Sequence, residues 1–512
     1  MSHYAENNQG RQLILSLLLG LLAGAALVWV WGRMSSNWAF FLVGAAVAGG
    51  VLTLTTSLGA RAYSMMMMGA LYGIPIGYNI VFGYRENVLR KTFGNGFPID
   101  ITDVFIFPLI ALWFVRIFVL NLPERTSLYK RWTLLMAAML VINVISAANT
   151  PDPFFGYSMI FVQIKLMLIF LFIANTFRDA KVLHGLAWAA ALALFTQGLI
   201  GVEQKLLGVI FTAELLGRDI GFVDTFGLET SLRVAGTLAH PNGLAMFLNL
   251  LLPTVIFYAL SRGLSFRAAF LWFAIGLALI TEIFTGSRGG WVAFASAITV
   301  GSYLWLWKQG KNPVAGVSIV AGIGVFGFMS MFVLSASFRN RLLLDDHGTA
   351  ELRGILVDVA TNMISANPFT GVGLDHYTRF MGLYDRTTQF ITSEYNETVH
   401  NTYLLIAAET GIFSLLLLAA IFILALLSSY RLFVRSQGML TVWSLGIFCG
   451  LITWLVHSLV NHANFYGEYP IFMMFGLIVA MEQIQNRRDR EEQLEREKEL
   501  EQKTLEEALN EK

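Results

Sequence analysis

Long apolar runs separated by short polar connections repeat along most of the chain. About fourteen runs approach the roughly 20 residues that a helix needs to cross a bilayer. They are 12–31, 38–56, 64–82, 101–121, 132–148, 157–175, 184–204, 241–260, 267–285, 289–307, 313–334, 401–428, 438–460 and 466–483. The pattern predicts an all-α polytopic membrane protein with about 12–14 transmembrane helices.

One long polar segment interrupts this pattern. Within it, the apolar and polar residues of 351–364 follow the spacing of an amphipathic helix. We therefore expect a folded loop or subdomain rather than an unstructured connection. The predicted regions are transmembrane helices over 1–334, an external loop over 335–400, further transmembrane helices over 401–485 and a charged helical tail over 486–512.

The distribution of Lys and Arg predicts the orientation. With both termini in the cytoplasm, most basic connections lie inside, as the positive-inside rule requires. The connections placed outside are 149–156, 205–240, 285–290, 335–400 and 461–466. The connection 83–100 is an exception, because it carries Arg85, Arg90 and Lys91. Either the third run does not span or these residues bind an external anion, and we favour the first interpretation.

Composition supports the membrane assignment. The chain is 56% hydrophobic and 13% charged, whereas soluble domains are about 25% charged. The expected surroundings are therefore membrane lipids. A net charge of +1 gives no reason to expect a nucleic-acid partner, and the single Cys449 excludes an internal disulfide.

Two motifs in the outer connections contain arginine. Arg233 begins a segment that ends His240-Pro241-Asn242, where Pro241 suits the first turn of a helix whose free N–H groups favour anions. Arg288 lies in the hairpin turn Thr285-Gly-Ser-Arg-Gly-Gly290. An arginine fork matches phosphate oxygens. The alternatives are lipid-headgroup contact for Arg233, a structural cap for His240 and an ion pair with Glu282 for Arg288.

Two further cations are candidates for the same site. Lys165 lies inside a predicted span, where a charged group is costly and defaults to a functional hypothesis, although an internal carboxylate partner is an equal alternative. Arg353 lies on the predicted amphipathic helix. The sequence Asp345-Asp-His347 has no second cluster at ligand spacing, so we predict neither a metal nor another cofactor.

His400 stands where the polar segment enters an apolar run. A histidine that is neutral near pH 7 can act as a general base. Glu394 or Glu397 could orient it, and His240, Asn242 and Asn401 are further supporting candidates. The alternative is a structural hydrogen bond.

These residues indicate a reaction at the outer leaflet. The chain has no P-loop, dinucleotide-binding glycine motif or Asp-x-Asp pair. A polyprenyl-diphosphate-linked glycan carries its own leaving group, which arginines can stabilise as it departs. His400 would then take the proton of the acceptor hydroxyl.

Four motifs in order resemble the O-antigen ligase/polymerase superfamily of bacterial membrane glycosyltransferases. They are Arg233-x-x-Gly-Thr-x-x-His-Pro-Asn242, Gly286-Ser-Arg-Gly289, Arg353 followed by Asn367-Pro-x-x-Gly-Val-Gly373, and His400-Asn-x-Tyr-Leu with Glu409-x-Gly411. The resemblance covers about 230–412 and implies a metal-independent, inverting enzyme with a GT-C-like fold in the bacterial inner membrane. It also implies a periplasmic site in which Arg233 and Arg288 bind an undecaprenyl diphosphate and His400 is the base. Arg353 is carried over less directly, and the extra N-terminal spans and charged tail depart from a compact ligase.

The acceptor remains open at this point. A ligase would use a lipid A-core sugar, a polymerase another lipid-linked repeat, and a protein-glycosylating relative a Ser or Thr side chain. A flippase or transporter of lipid-linked sugars is the alternative from a different class, which predicts charged residues between repeats at the bilayer midplane.

Overall fold

The computed structural model describes most of the chain beyond its first 49 residues. The described residues are 50, 60–76, 79–85, 93–119, 126–207, 233–238, 240–263, 265–334, 338–339, 343, 349–388, 392, 396–463 and 465–510. The predicted span 12–31, nearly all of 38–56, and Arg90, Lys91, Asp345–His347 and Glu394 lie outside these ranges. The chain divides into two compact units, one of residues 1–82 and 98–125 and the other of residues 83–97 and 126–512.

The described elements are helical except for one pair of short strands. The helices are α1 (Ala60–Gly73), α2 (Ile101–Phe114), α3 (Lys130–Ala148), α4 (Phe154–Thr176), α5 (Val182–Leu207), α6 (Pro241–Arg262), α7 (Phe266–Phe284), α8 (Arg288–Lys308), α9 (Pro313–Leu334), α10 (Thr349–Ala366), α11 (Tyr377–Tyr384), α12 (Thr402–Thr410), α13 (Ile412–Arg435), α14 (Met439–His457) and α15 (Tyr469–Asn510). Strands β1 (Asn79–Phe82) and β2 (Phe97–Asp100) form a two-stranded sheet.

Ten of the described helices are long and apolar enough to cross a membrane. They are α2 with its continuation to Phe118, α3, α4, α5, α6, α7, α8, α9, α13 and α14. This confirms the prediction of an all-α polytopic membrane protein, with a small sheet in addition.

Three predicted spans differ from the observed helices. The last of them, 466–483, is the first part of α15, which continues to Asn510 and is not among the ten candidate spans. The third span, 64–82, is wrong as a single helix: α1 ends at Gly73, and the chain continues through a short 3₁₀ turn into β1. Glycine and proline both disfavour helix continuation, and they stand here as Gly73 and Pro75. The predicted span 401–428 is divided at Gly411 into α12 and α13.

Helix α14 lies at the centre of the second unit, where it packs against α6, α8 and α13. Its Gly446 and Gly450 allow the backbone of α6 to approach closely, because a Cβ at these positions would meet Thr254 Cα at 2.5 Å and Leu250 O at 2.6 Å. Small residues bring membrane helices together in this way. By contrast, none of the membrane-length window of α9 is buried, so α9 lies at the periphery of its unit.

Candidate active site

The chemically informative connections of the second unit meet at one end of its helices, here called the polar end. Val234 N donates to Phe284 O (3.2 Å), and Thr402 N donates to Ser458 O (3.0 Å). Phe93 N donates to Asp375 Oδ1 (2.9 Å). Arg85 forms an ion pair with Asp152 at 3.0 Å, which accounts for this basic residue without an anion. The described segments joined here are 83–85, 93–97, 149–153, 233–238, 285–287, 367–376, 396–401 and 458–463.

Arg233 ties two of the predicted motifs together. Its Nε donates to Thr285 O (2.7 Å), and its NH2 donates to Asn242 Oδ1 (2.8 Å). Gly286 has a φ of +60° and an added Cβ would lie 3.4 Å from Arg233 Nε. The glycine therefore lets the α7–α8 turn close against the guanidinium.

His240 and Asn242 organise the start of α6. His240 is the N-cap residue, and its Nδ1 accepts from Asn242 N (3.2 Å). Pro241 is the first helical residue, as predicted from the sequence. Asn242 Nδ2 donates to Asn461 Oδ1 (3.3 Å), which connects α6 to the end of α14.

A cavity of about 440 Å³ opens beside these residues. Its polar lining includes Arg288, Arg353, Asn242 and His457, and its apolar lining includes Val292 together with residues from the end of α14. Arg288 is the first residue of α8, whose N-cap is Ser287. Two arginines and a helix N-terminus at one cavity are the features that bind phosphate groups.

His400 lies in a cluster of three histidines. It is not among the residues that line the cavity, but it is close enough to the cavity-lining Arg353 for that charge to act on its imidazole. Its ring centroid is 4.8 Å from that of His462, which in turn is 6.5 Å from His240. Burial lowers the pKa of His400 to about 3, with further lowering by His462, Arg353 and His240. The imidazole is consequently neutral at physiological pH, and its Nδ1 has no hydrogen-bond partner among the described residues.

This neutral state predicts a pH-dependent stability. A histidine with a lowered pKa binds its proton less readily in the folded protein, so its contribution to stability is present above its ordinary value of about 6.5 and is lost as the pH falls below it. We expect the melting temperature of detergent-solubilised protein to fall between pH 7 and pH 5, and His400→Gln to weaken this dependence. An identical pH dependence in the variant would contradict it.

Helix α10 holds Arg353 near His400. Its apolar face forms a core with the segment that carries the histidine; this core includes Leu356, Val359, Ala360, Met363, Val399 and Leu405. Arg353 lies one turn before Leu356 on this helix. The amphipathic pattern thus fixes the guanidinium close enough to lower the pKa of His400.

The other predicted site residues have distinct positions. Asn401 is the N-cap of α12: its Oδ1 accepts from Tyr403 N and Leu404 N, both at 3.0 Å, and its Nδ2 donates to Leu459 O. Glu397 is half-buried three residues before His400, and Glu394 lies outside the described residues. Lys165 is buried with its Nζ 4.9 Å from the Tyr469 ring centroid, and it is not among the residues that line the cavity.

The motifs Asn367–Gly373 and Glu409–Gly411 dock onto each other. Val372 N donates to Ala408 O (2.8 Å), Gly373 N to Glu409 O (2.9 Å) and Ile412 N to Pro368 O (2.8 Å). A Cβ on Gly371 would lie 2.2 Å from the Glu409 carbonyl carbon, and one on Gly411 would lie 2.1 Å from Phe369 O. These motifs therefore have a structural role beside the cavity.

The docked motifs Asn367–Gly373 and Glu409–Gly411 are here called the interlock. A buried carboxyl connects the interlock to the histidine cluster. Asp375, with a φ of +60°, accepts from Phe93 N (2.9 Å) and Gly94 N (2.8 Å), and its pKa is raised by burial. Glu409 Oε1 accepts from Tyr377 N (3.1 Å) in the same region. Asp375 holds the backbone of Phe93, whose ring lies 6.2 Å from the His462 ring. The interlock therefore supports the histidine cluster through Phe93.

We expect Gly371→Ala to destabilise the protein by at least about 2 kcal/mol, because the new methyl group would both clash and require a left-handed backbone. Gly354→Ala is the matched control: it lies on the exposed side of α10 with no atom within 4 Å of the added Cβ. That change should be neutral or stabilising by about 0.5–1 kcal/mol. Melting temperatures in detergent test both, and equal stability of the two variants would refute the interlock.

Sequence reasoning missed His457, Asn461 and His462, and it gave no role to Ser287 within its motif. The three missed residues lie within His457-Ser-Leu-Val-Asn-His462, at the end of an apolar run and next to a connection predicted to lie outside. That concentration of polar groups was the available signal. Among the described residues, no group of three or more His, Cys, Asp or Glu side chains is arranged to hold a metal ion.

The fold and this site define a multi-pass membrane protein with a cation-lined cavity at the ends of its apolar helices. The sequence model of the O-antigen ligase family matches residues 268–419, from α7 into α13. This domain supports the O-antigen ligase/polymerase superfamily and confirms the resemblance predicted from the motifs. The match includes Arg288, Arg353 and His400, whereas Arg233 and His457 lie outside it. A search of curated proteins finds no match.

Proposed function

We propose that the protein transfers a glycan from an undecaprenyl-diphosphate carrier to an acceptor hydroxyl at the periplasmic face of the bacterial inner membrane. The observation that carries this proposal is the cavity of about 440 Å³ lined by Arg288 and Arg353, with neutral His400 next to Arg353. The O-antigen ligase domain supports glycosyltransferase-like chemistry in general.

In this proposal the arginines receive the donor diphosphate. Arg233 donates from Nε to Thr285 O and from NH2 to Asn242 Oδ1. These two hydrogen bonds fix the plane of its guanidinium. Arg288 and Arg353 supply charge from α8 and α10. Prepositioned cations stabilise the negative charge that develops on a departing phosphate, because they need not reorganise during the reaction.

His400 is the proposed general base. It is neutral in the resting site and so has a lone pair available, although its lowered pKa makes it a weak base there. An arriving diphosphate would offset the charge of Arg353 and raise the pKa of His400. The proton acceptor would thereby become effective when the donor is bound. The single displacement would invert the anomeric carbon, without a metal or another cofactor.

The product of an in vitro reaction would identify the acceptor class. We would incubate the purified protein with an undecaprenyl-diphosphate-linked glycan, with and without a lipid A-core acceptor. A longer lipid-linked glycan indicates a polymerase, a glycan on the lipid A-core indicates a ligase, and modified protein indicates transfer to Ser or Thr. Passage of the donor across a proteoliposome bilayer, with no transfer to any acceptor, would instead support a flippase.

The proposed orientation predicts which surfaces a membrane-impermeant maleimide can reach. Native Cys449 is fully buried, so it gives little background. Leu383→Cys on α11 should be labelled from the periplasm, because Leu383 is 78% exposed. Leu509→Cys in the charged tail, exposed at 65%, should be labelled only after the inner membrane is opened. The reverse labelling pattern would overturn the periplasmic site and the cytoplasmic C-terminus.

A further inference from the structure

His457, the last residue of α14, has an incomplete hydrogen-bonding arrangement in the wall of the cavity. Its side chain is 1% exposed and lines the cavity together with Arg288 and Arg353. His457 Nε2 lies 3.1 Å from Ser287 Oγ, and its Nδ1 has no hydrogen-bond partner among the described residues. A buried polar atom is normally paired. His457 therefore lines the cavity with one ring nitrogen that no described protein group satisfies.

The turn before α8 brings a hydroxyl to one ring nitrogen of His457. Ser287 Oγ, the N-cap oxygen of α8, accepts from Gly290 N at 3.4 Å. We assign its own hydrogen to His457 Nε2, which lies within hydrogen-bond distance. A neutral imidazole whose Nε2 accepts must carry its hydrogen on Nδ1. This tautomer, assigned from the hydrogen-bond network, makes the unpartnered Nδ1 a donor.

The turn is also shaped around the imidazole. A Cβ on Gly289 would lie 3.2 Å from His457 Cδ2 and 2.4 Å from Val460 Cγ2. The glycine therefore lets the turn that carries Ser287 and Arg288 approach the end of α14. Arg233 reaches the same turn through Thr285 O. A neutral donor at this position adds a hydrogen bond without adding another positive charge beside the arginines.

We propose that His457 Nδ1–H donates to the donor diphosphate beside Arg288 and stabilises the phosphate oxygen that departs. This inference rests on the proposed function. The acceptor oxygen bonds to the anomeric carbon while the bond from that carbon to the phosphate oxygen breaks, and its electron pair stays on that oxygen. The acceptor proton goes to His400. His457 donates a hydrogen bond that strengthens as charge grows on the departing oxygen, so its effect falls mainly on kcat.

The test compares His457→Phe, which keeps an aromatic ring without a donor, with His457→Asn, whose amide can place an N–H near the position of Nδ1. Initial rates are measured in proteoliposomes with an undecaprenyl-diphosphate glycan as donor. We expect His457→Phe to lower kcat by about 10²-fold with a smaller change in KM, and His457→Asn to recover part of that loss. His184→Phe is the control, because His184 contacts Tyr258 and Arg262 rather than the cavity.

A second readout does not require turnover. Undecaprenyl diphosphate should raise the melting temperature of the wild-type protein. The Kd obtained from this shift should increase at least about tenfold in His457→Phe and by less in His457→Asn. Unchanged kcat and Kd in a folded His457→Phe would overturn the assignment. If His457→Phe does not fold, His457→Asn decides: its kcat must be lower and its Kd higher than those of the wild type, or the assignment fails. A wild-type protein that binds undecaprenyl diphosphate through His457 without transferring glycan would refute the proposed function and leave this site intact.

Discussion

Replacing His400 by Ala or Gln is expected to reduce glycan transfer by at least about 10²-fold in kcat, the range of a lost general base. His400 combines a neutral imidazole with electrostatic contact to cavity-lining Arg353. Glutamine fills similar space and can form hydrogen bonds, but it cannot accept the acceptor proton. The measurement is transfer by purified variants, with donor binding followed in parallel.

Two observations separate a base from a structural residue at this position. His400→Gln should still bind undecaprenyl diphosphate and remain membrane-inserted, since its loss falls on kcat. His184→Gln, at a histidine that contacts Tyr258 and Arg262, should retain transfer. Normal transfer by folded His400→Gln would exclude His400 as the base. Loss of both binding and folding would assign it a structural role.

Arg288→Lys is expected to lower kcat/KM by about 10–100-fold, and Arg288→Ala by about 10²–10³-fold. Arg288 is the first residue of α8 and lines the cavity, so its fork and the helix N-terminus can both face a diphosphate. Lysine retains the charge but presents a single ammonium group. It cannot form the two parallel hydrogen bonds of a guanidinium with phosphate oxygens.

Arg435→Lys serves as the matched control. Arg435 forms an exposed ion pair with Asp489 on α15, and such pairs contribute little to stability. Rates should therefore match the wild type, which excludes a general effect of replacing arginine. Full activity of Arg288→Lys would reduce its role to a simple charge or an internal pair. In that case the melting temperature distinguishes the two, because only an internal pair stabilises the protein without donor.

The carboxyl of Asp375 illustrates a feature that sequence reasoning could not reach. It accepts hydrogen bonds from Phe93 N and Gly94 N, which lie 282 and 281 positions away in the sequence. No local pattern marks such a contact. The motif glycines were recognisable in the sequence. The need for glycine at Gly371 comes from its close approach to the Glu409 backbone, which depends on how two distant segments dock.

The errors also have physical causes. The third apolar run contains enough hydrophobic residues for a span, yet Gly73 and Pro75 end its helix. Gly411, with a φ of +85°, likewise divides the run 401–428. His457 and His462 were missed because a histidine at the end of an apolar helix leaves the hydrophobic period unchanged.

The sequence by itself determined the membrane class, most of the described spans, the start of α6 at Pro241 and the family motifs. These depend on side-chain apolarity over about 20 neighbouring residues or on local turn chemistry. Only the tertiary structure decided which polar residues share a cavity and that His400 is half-buried and neutral. It also brought Ser287 to His457, 170 positions away. Burial and long-range distance arise from the packing of whole helices, which no local stretch of sequence encodes.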